Sequence, residues 1–139
     1  MIEQPVIEYA EAMRAVAAMA AEISRRGKAA VMAVADAHGE LIALARMDGA
    51  RLSSIAIAAN KAWTSARSGR PTAEVGAKVR DPQKGFDIAY YGDPRFVGWG
   101  GGVPIWKDGR IAGAVAVSGL PESEDIEVAA IGAGAIAAQ

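Results

Sequence analysis

The sequence predicts an α+β domain in which helices pack on an antiparallel sheet. Three observations lead there. Two pairs of short apolar segments are each joined by turn residues, no long βαβ-type crossover separates the members of either pair, and helical periodicity fills the stretches before, between and after them. With 139 residues the chain reads as a single domain over 1–139, long enough to bury about two-thirds of its unfolded surface.

Ile7 to Arg26 carries apolar Tyr9, Met13, Val16, Ala20 and Ile23 at helical spacing, and Arg25-Arg26-Gly27 suits a helix end. Ala29–Ala35 and Leu41–Arg46 form a hairpin around the turn-like Asp36-Ala37-His38-Gly39-Glu40. Leu52 to Ser68 returns to helical spacing with a small-residue face, capped by Ser53 or Ser54 and closed by Gly69. Thr72 to about Val79 is a shorter helix, and Arg80 to Gly98 lacks periodicity, broken by Pro82, Gly85, Gly92 and Pro94. Val103 onward reads as a strand, then Asp108-Gly109, whose residues tolerate the positive φ of a type I′ turn, then a strand over Ile111–Gly119. A last helix starts at Ser123-Glu124-Asp125, acidic where the dipole favours anions, and runs alanine-rich to Gln139.

Composition narrows the function. The chain is 52% hydrophobic and only 6% aromatic, with net charge −1 and interspersed signs, so it carries no footprint for nucleic acid or an anionic membrane. Absence of cysteine excludes disulfides, iron–sulfur clusters and thiolate zinc sites, and with one histidine no metal site is expected. Met1-Ile2-Glu3-Gln4-Pro5 lacks signal-peptide character, and no apolar run reaches the roughly 20 residues of a membrane helix. A cytoplasmic protein with no membrane partner is the expectation.

Four constellations remain. His38, in a hairpin tip, reads as a solvated turn residue rather than an acid–base group. Gly100-Gly101-Gly102 is followed by strand-like residues, which fits neither a P-loop nor a dinucleotide fingerprint; a strand-entry bulge and a ligand-contacting wall both stay open. Asp48 and Lys61 either meet in a pocket, where desolvation tunes the lysine for proton transfer, or form a structural ion pair at a strand end. Tyr90, Tyr91, Phe96, Trp99 and Trp106 suit the walls of a planar-ligand pocket, and equally a core or a subunit interface.

Arg46-Met47-Asp48-Gly49-Ala50, Ala59-Asn60-Lys61-Ala62, Gly101-Gly102-Val103-Pro104-Ile105, Asp108-Gly109, Gly113–Gly119 and Asp125-Ile126-Glu127 together resemble the GlcG/HbpS family, related to the C-terminal domain of PduO-type proteins. The resemblance implies an antiparallel sheet of about five strands flanked by helices, a profilin-like α/β/α sandwich, and homo-oligomers. It implies small-ligand binding, with haem as the cofactor of some members, and a pocket lined by Asp48, Lys61, Gly101, Gly102 and Pro104. One turn histidine and no cysteine leave Met47, Tyr90 or Tyr91 as haem-iron ligands. The Trp99-Gly100 entry and Trp106 point instead to a different ligand.

Two functional readings follow. In the first, the protein holds haem or another flat or carboxylated small molecule beside the glycine-rich hairpin. Trp99, Tyr90 and Tyr91 are its flat walls, and Arg46 or Arg67 is the bidentate partner of a carboxylate. In the second, it is a cofactor-free lyase, isomerase or hydrolase acting on a small organic acid or aromatic catabolic intermediate. There Lys61 or Asp48 moves a proton and the Gly101 and Gly102 N–H groups stabilise developing negative charge.

Overall fold

A computed structural model describes residues 2–137 in the order α1 (Tyr9–Arg25), β1 (Val31–Asp36), β2 (Leu41–Arg46), α2 (Ser53–Ser68), α3 (Thr72–Val79), a 3-10 turn (Ile88–Tyr91), β3 (Gly102–Lys107), β4 (Arg110–Ser118) and α4 (Glu122–Ala137). The strands form one antiparallel sheet in the order β2-β1-β4-β3. The expected Gln139 end of the last helix lies outside the described residues.

Alternation along β1 explains the layers. Val31, Ala33 and Ala35 face α2, where Ala58, Ala62 and the β4 residue Ala116 meet them. Met32 and Val34 face the opposite way, with Val115 and Val117, into a larger core closed by Ala12, Val16, Met19 and Ile23 of α1 and Val128, Ala129 and Ile136 of α4. A period of two places successive side chains on opposite sheet faces, so β1 is buried on both. The alanine-rich contact on the α2 side brings that helix close to the sheet. The result is the expected α/β/α sandwich.

One expectation is corrected: the sheet has four strands, not about five. Residues 80–101, the one stretch with chain to spare, close instead into successive turns, with Gly85 N–H donating to Asp81, Tyr90 to Asp87 and Gly92 to Ala89. Pro104 sits in β3, an edge strand, where its missing N–H need not interrupt a ladder. Asp108 and Gly109 both have positive φ (51° and 75°), as the hairpin turn requires.

α1 and α4 are joined by charge as well as by packing. Arg26 reaches Glu22 at 2.7 Å, Glu127 at 2.9 Å and Glu124 at 3.3 Å, and Lys28 reaches Glu124 at 2.7 Å. Hydrogen bonds from Arg25 and then Arg26 hold the Glu22 carboxyl down to about 2. A carboxyl whose folded pKa is depressed contributes stability above its ordinary value, and the contribution disappears as pH falls toward the folded pKa. An NMR titration of the Glu22 side chain is therefore expected to give a midpoint near 2 rather than the usual 4.5, with its contacts to Arg25 and Arg26 released across that interval.

Candidate functional site

The buried residues of α2 include polar side chains beside its alanines. Lys61, Thr64 and Ser65 fall on one side of the helix at three- and four-residue spacing, and all are buried. Thr64 pegs the irregular segment that leads into β3, and Ser65 pegs the turn between α2 and α3. Thr64 Oγ1 donates to Arg95 O at 2.9 Å and accepts from Val97 N–H at 3.0 Å, and Ser65 Oγ donates to Arg70 O at 2.8 Å. Backbone without a ladder of its own is thereby satisfied by side chains.

Lys61 is only 2% exposed. Its Nζ donates to Val117 O at 2.9 Å and to Asp125 Oδ2 at 3.1 Å. Asp125, in the first turn of α4, is 4% exposed and also accepts the Leu120 N–H at 3.1 Å. Burial pushes the Lys61 ammonium down from its ordinary value and the Asp125 carboxyl up; the attraction between them opposes both shifts and is the weaker effect. An ammonium has three N–H donors, so one remains beyond the two bonds to protein.

The glycines make room for this pair. A Cβ on Gly101 would stand 2.8 Å from Lys61 Nζ and 2.7 Å from Val117 O, and its φ of +125° disfavours any side chain. One on Gly102 would stand 2.6 Å from Lys61 O, while the Gly102 N–H donates to Thr72 Oγ1 at 2.8 Å. The glycine run is thus a close approach between β3 and α2.

Above the pair lies a cavity of about 520 Å³. Its floor is Lys61 and Asp125, one wall is the start of α2 with Arg51, Ser53 and Ser54, and the facing wall is Trp99, Gly100 and Glu122. The two carboxylates are already engaged, Asp125 as described and Glu122 by the Gly100 N–H at 2.6 Å. Arg51 forms no ion pair among the described residues. The expected serine cap of α2 is absent: Leu52 occupies the cap position and no side chain bonds there, which leaves the hydroxyls of Ser53 and Ser54 on the cavity wall.

Of the residues singled out by sequence as candidate ligand contacts, Lys61, Trp99 and Gly100 line this cavity. Asp48 is exposed in the turn after β2, and the partner of Lys61 is Asp125 instead. Arg46 is exposed at the end of β2. Arg67 lies near the far end of α2, over the Trp63 ring, and donates to His38 O. Gly101, Gly102 and Pro104 lie behind the cavity wall rather than in it. Tyr90 is exposed, and Tyr91 stacks on Phe96 with centroids 4.4 Å apart. His38 is exposed and Met47 packs against the core, so neither these nor the tyrosines line the cavity. Among the described residues no cluster of three or more His, Cys, Asp or Glu side chains could hold a metal. Arg51 and Asp125 were not predicted as site residues. A cation and two serines at a helix start signal the first; the second is fixed only by contact across 64 residues.

Comparison with known proteins adds to this geometry. Residues 7–134 match the family described as "Haem degrading protein HbpS-like". Protein GlcG of Escherichia coli K12 is 36% identical over 103 residues, which is 74% of each chain. Corrinoid adenosyltransferase PduO of Salmonella typhimurium is 30% identical over 99 residues, 71% of this chain but only 30% of that protein. A crystal structure of PduOC in complex with haem superposes with a TM-score of 0.88 at 25% identity, covering 94% of both chains.

A buried ion pair stripped of one partner leaves an uncompensated charge, at a cost of about 3–5 kcal/mol. Lys61→Met and Asp125→Leu are each expected to destabilise by that order in denaturant unfolding, and the double variant by much less than their sum. Gly101→Ala is expected to cost about 2–4 kcal/mol through strain and displacement of the Lys61 head.

Proposed function

The chain belongs to the HbpS-like family, and on that premise we propose that it binds a small carboxylated molecule in the cavity beside the glycine-rich hairpin. One observation carries the reading. The two carboxylates at the cavity already accept N–H donors from the protein, whereas the Arg51 guanidinium has no ion-pair partner among the described residues. The N-terminal turn of α2 adds its dipole and the hydroxyls of Ser53 and Ser54, so the start of α2 offers donors to a ligand. A carboxylate between Arg51 and this turn gains charge-assisted hydrogen bonds. Trp99 offers a flat apolar wall to the rest of the molecule.

Haem is flat and carboxylated, and the relative PduOC binds it. Its carboxylates suit Arg51, but the cavity presents no imidazole, thioether or phenol to iron. Its donor set therefore favours an organic acid, and no iron ligation is derived from these residues. The reading includes a homo-oligomer, supported by exposed Leu41 and Leu44 on the edge strand β2, and a cytoplasmic place suited to a cysteine-free chain.

A second reading, a cofactor-free lyase, isomerase or hydrolase, is favoured by Lys61 alone. Its third N–H and its lowered pKa suit proton transfer to a bound acid at the cavity floor. The Gly102 N–H does not take part, because Thr72 holds it.

Isothermal titration with benzoate and benzylamine tests the first reading. Benzoate is expected to bind and benzylamine not to, and Arg51→Ala is expected to weaken benzoate by about tenfold or more, the loss of a charge-assisted bond of at least 1.4 kcal/mol. Equal binding of the amine, or an indifferent Arg51→Ala variant, contradicts it.

A further inference from the structure

A second cavity of about 440 Å³ lies beside the first, and its character is opposite. Val79, Phe86, Ile88, Phe96 and Val97 make its walls apolar. Arg80 is the charged residue at its edge, and its guanidinium is engaged by Gly98 O at 3.0 Å. The walls are held in place from behind: Tyr91 stacks on Phe96 and meets Phe86 edge-on at 5.5 Å. The sequence concentrates its aromatic residues here, with Phe86, Tyr90, Tyr91, Phe96 and Trp99 within one irregular segment of a chain that is only 6% aromatic.

The two cavities meet at consecutive residues. Gly98 lines the apolar one, Gly100 the polar one, and Trp99 both. Gly98 and Gly100 add no side chain to the partition, so the Trp99 indole is the one side chain shared by the two walls. It is 58% exposed, so its indole is accessible from both cavities.

We propose that the ligand is an amphipathic carboxylic acid, with its carboxylate at Arg51 and an aryl or alkyl tail that crosses Trp99 into the Phe86–Ile88–Phe96 cavity. This rests on the carboxylate reading above and specifies the rest of the molecule. Polar and apolar recognition are then divided between the two sides of one residue. Arg51 and the α2 turn fix the head, and the second cavity selects the tail by length. Short acids, which fill only the first cavity, bind weakly.

The test is a homologous series of straight-chain acids, butanoate to octanoate, titrated into the full chain by calorimetry. Each methylene removed from water strengthens binding by about fourfold, so affinity is expected to climb steadily along the series. Ile88→Ser, at a partly exposed position of the 3-10 turn, is expected to lower the octanoate-to-butanoate affinity ratio by about tenfold or more; a thermal melt checks that it is folded. Arg51→Ala is expected to weaken every member by a similar factor. A series without length dependence, or one that Ile88→Ser leaves unchanged, overturns the tail assignment, and the carboxylate reading survives provided Arg51→Ala still weakens butanoate. If Arg51→Ala leaves butanoate binding unchanged, the head assignment fails separately. If no acid binds, both fail.

Discussion

The structure depends on hiding one ammonium group. Lys61 stands in the middle of α2, pressed against the sheet at a place where most of the contact is alanine, and it is only 2% exposed. The fold accommodates it from three directions. β4 supplies the Val117 carbonyl, α4 supplies Asp125, and the residue before β3 is Gly101, whose missing side chain leaves the ammonium somewhere to sit. Desolvation outweighs the attraction between the partners, so this arrangement does not maximise stability. Apolar residues of similar volume could fill the same space at no greater cost. What the pair provides is a fixed junction of α2, β4 and α4 at the floor of a cavity.

That junction orders the residues around it. Asp125 takes the Leu120 N–H and so shapes the turn from β4 into α4; Glu122, one turn earlier, takes the Gly100 N–H and fixes the chain beside Trp99. Thr64 and Thr72 tether the same segment at Val97 and Gly102. An irregular stretch of this length is ordered because buried hydroxyls and carboxylates replace the missing ladder. The same bonds engage Asp125 and one oxygen of Glu122, while Arg51 and the serines at the start of α2 line the same cavity. Structural satisfaction and ligand preference thus have one origin.

Much of the fold was legible from local pattern. Asp108-Gly109 named the second hairpin because few residue pairs tolerate two successive positive φ angles, and the helical periods from Ile7, Leu52 and Thr72 located α1, α2 and α3 to within two residues at their starts. The motif blocks indicated the family and with it the sandwich. The site was less legible. Lys61 was found, but its partner was sought in Asp48, nearer in sequence and next to a glycine turn; Asp125 reads locally as an ordinary acidic residue at a helix start. The glycine run leaves two meanings open in the sequence: in the structure Gly101 and Gly102 give clearance to Lys61, and Gly100 lines the cavity. Arg51 was overlooked because a single arginine before a helix carries no periodic signal. Tyr91 was expected at a ligand and is instead the support behind Phe86 and Phe96.

The most direct test of the central claim is a chemical-shift map of the isotopically labelled protein with octanoate. The account requires the largest perturbations at Arg51, Ser53, Ser54 and the Lys61 Nζ–Asp125 pair, continuing through the Trp99 indole to Ile88. Perturbations confined to α1, or to Arg46 and Asp48 at the end of β2, would contradict it and return the search to the exposed surface.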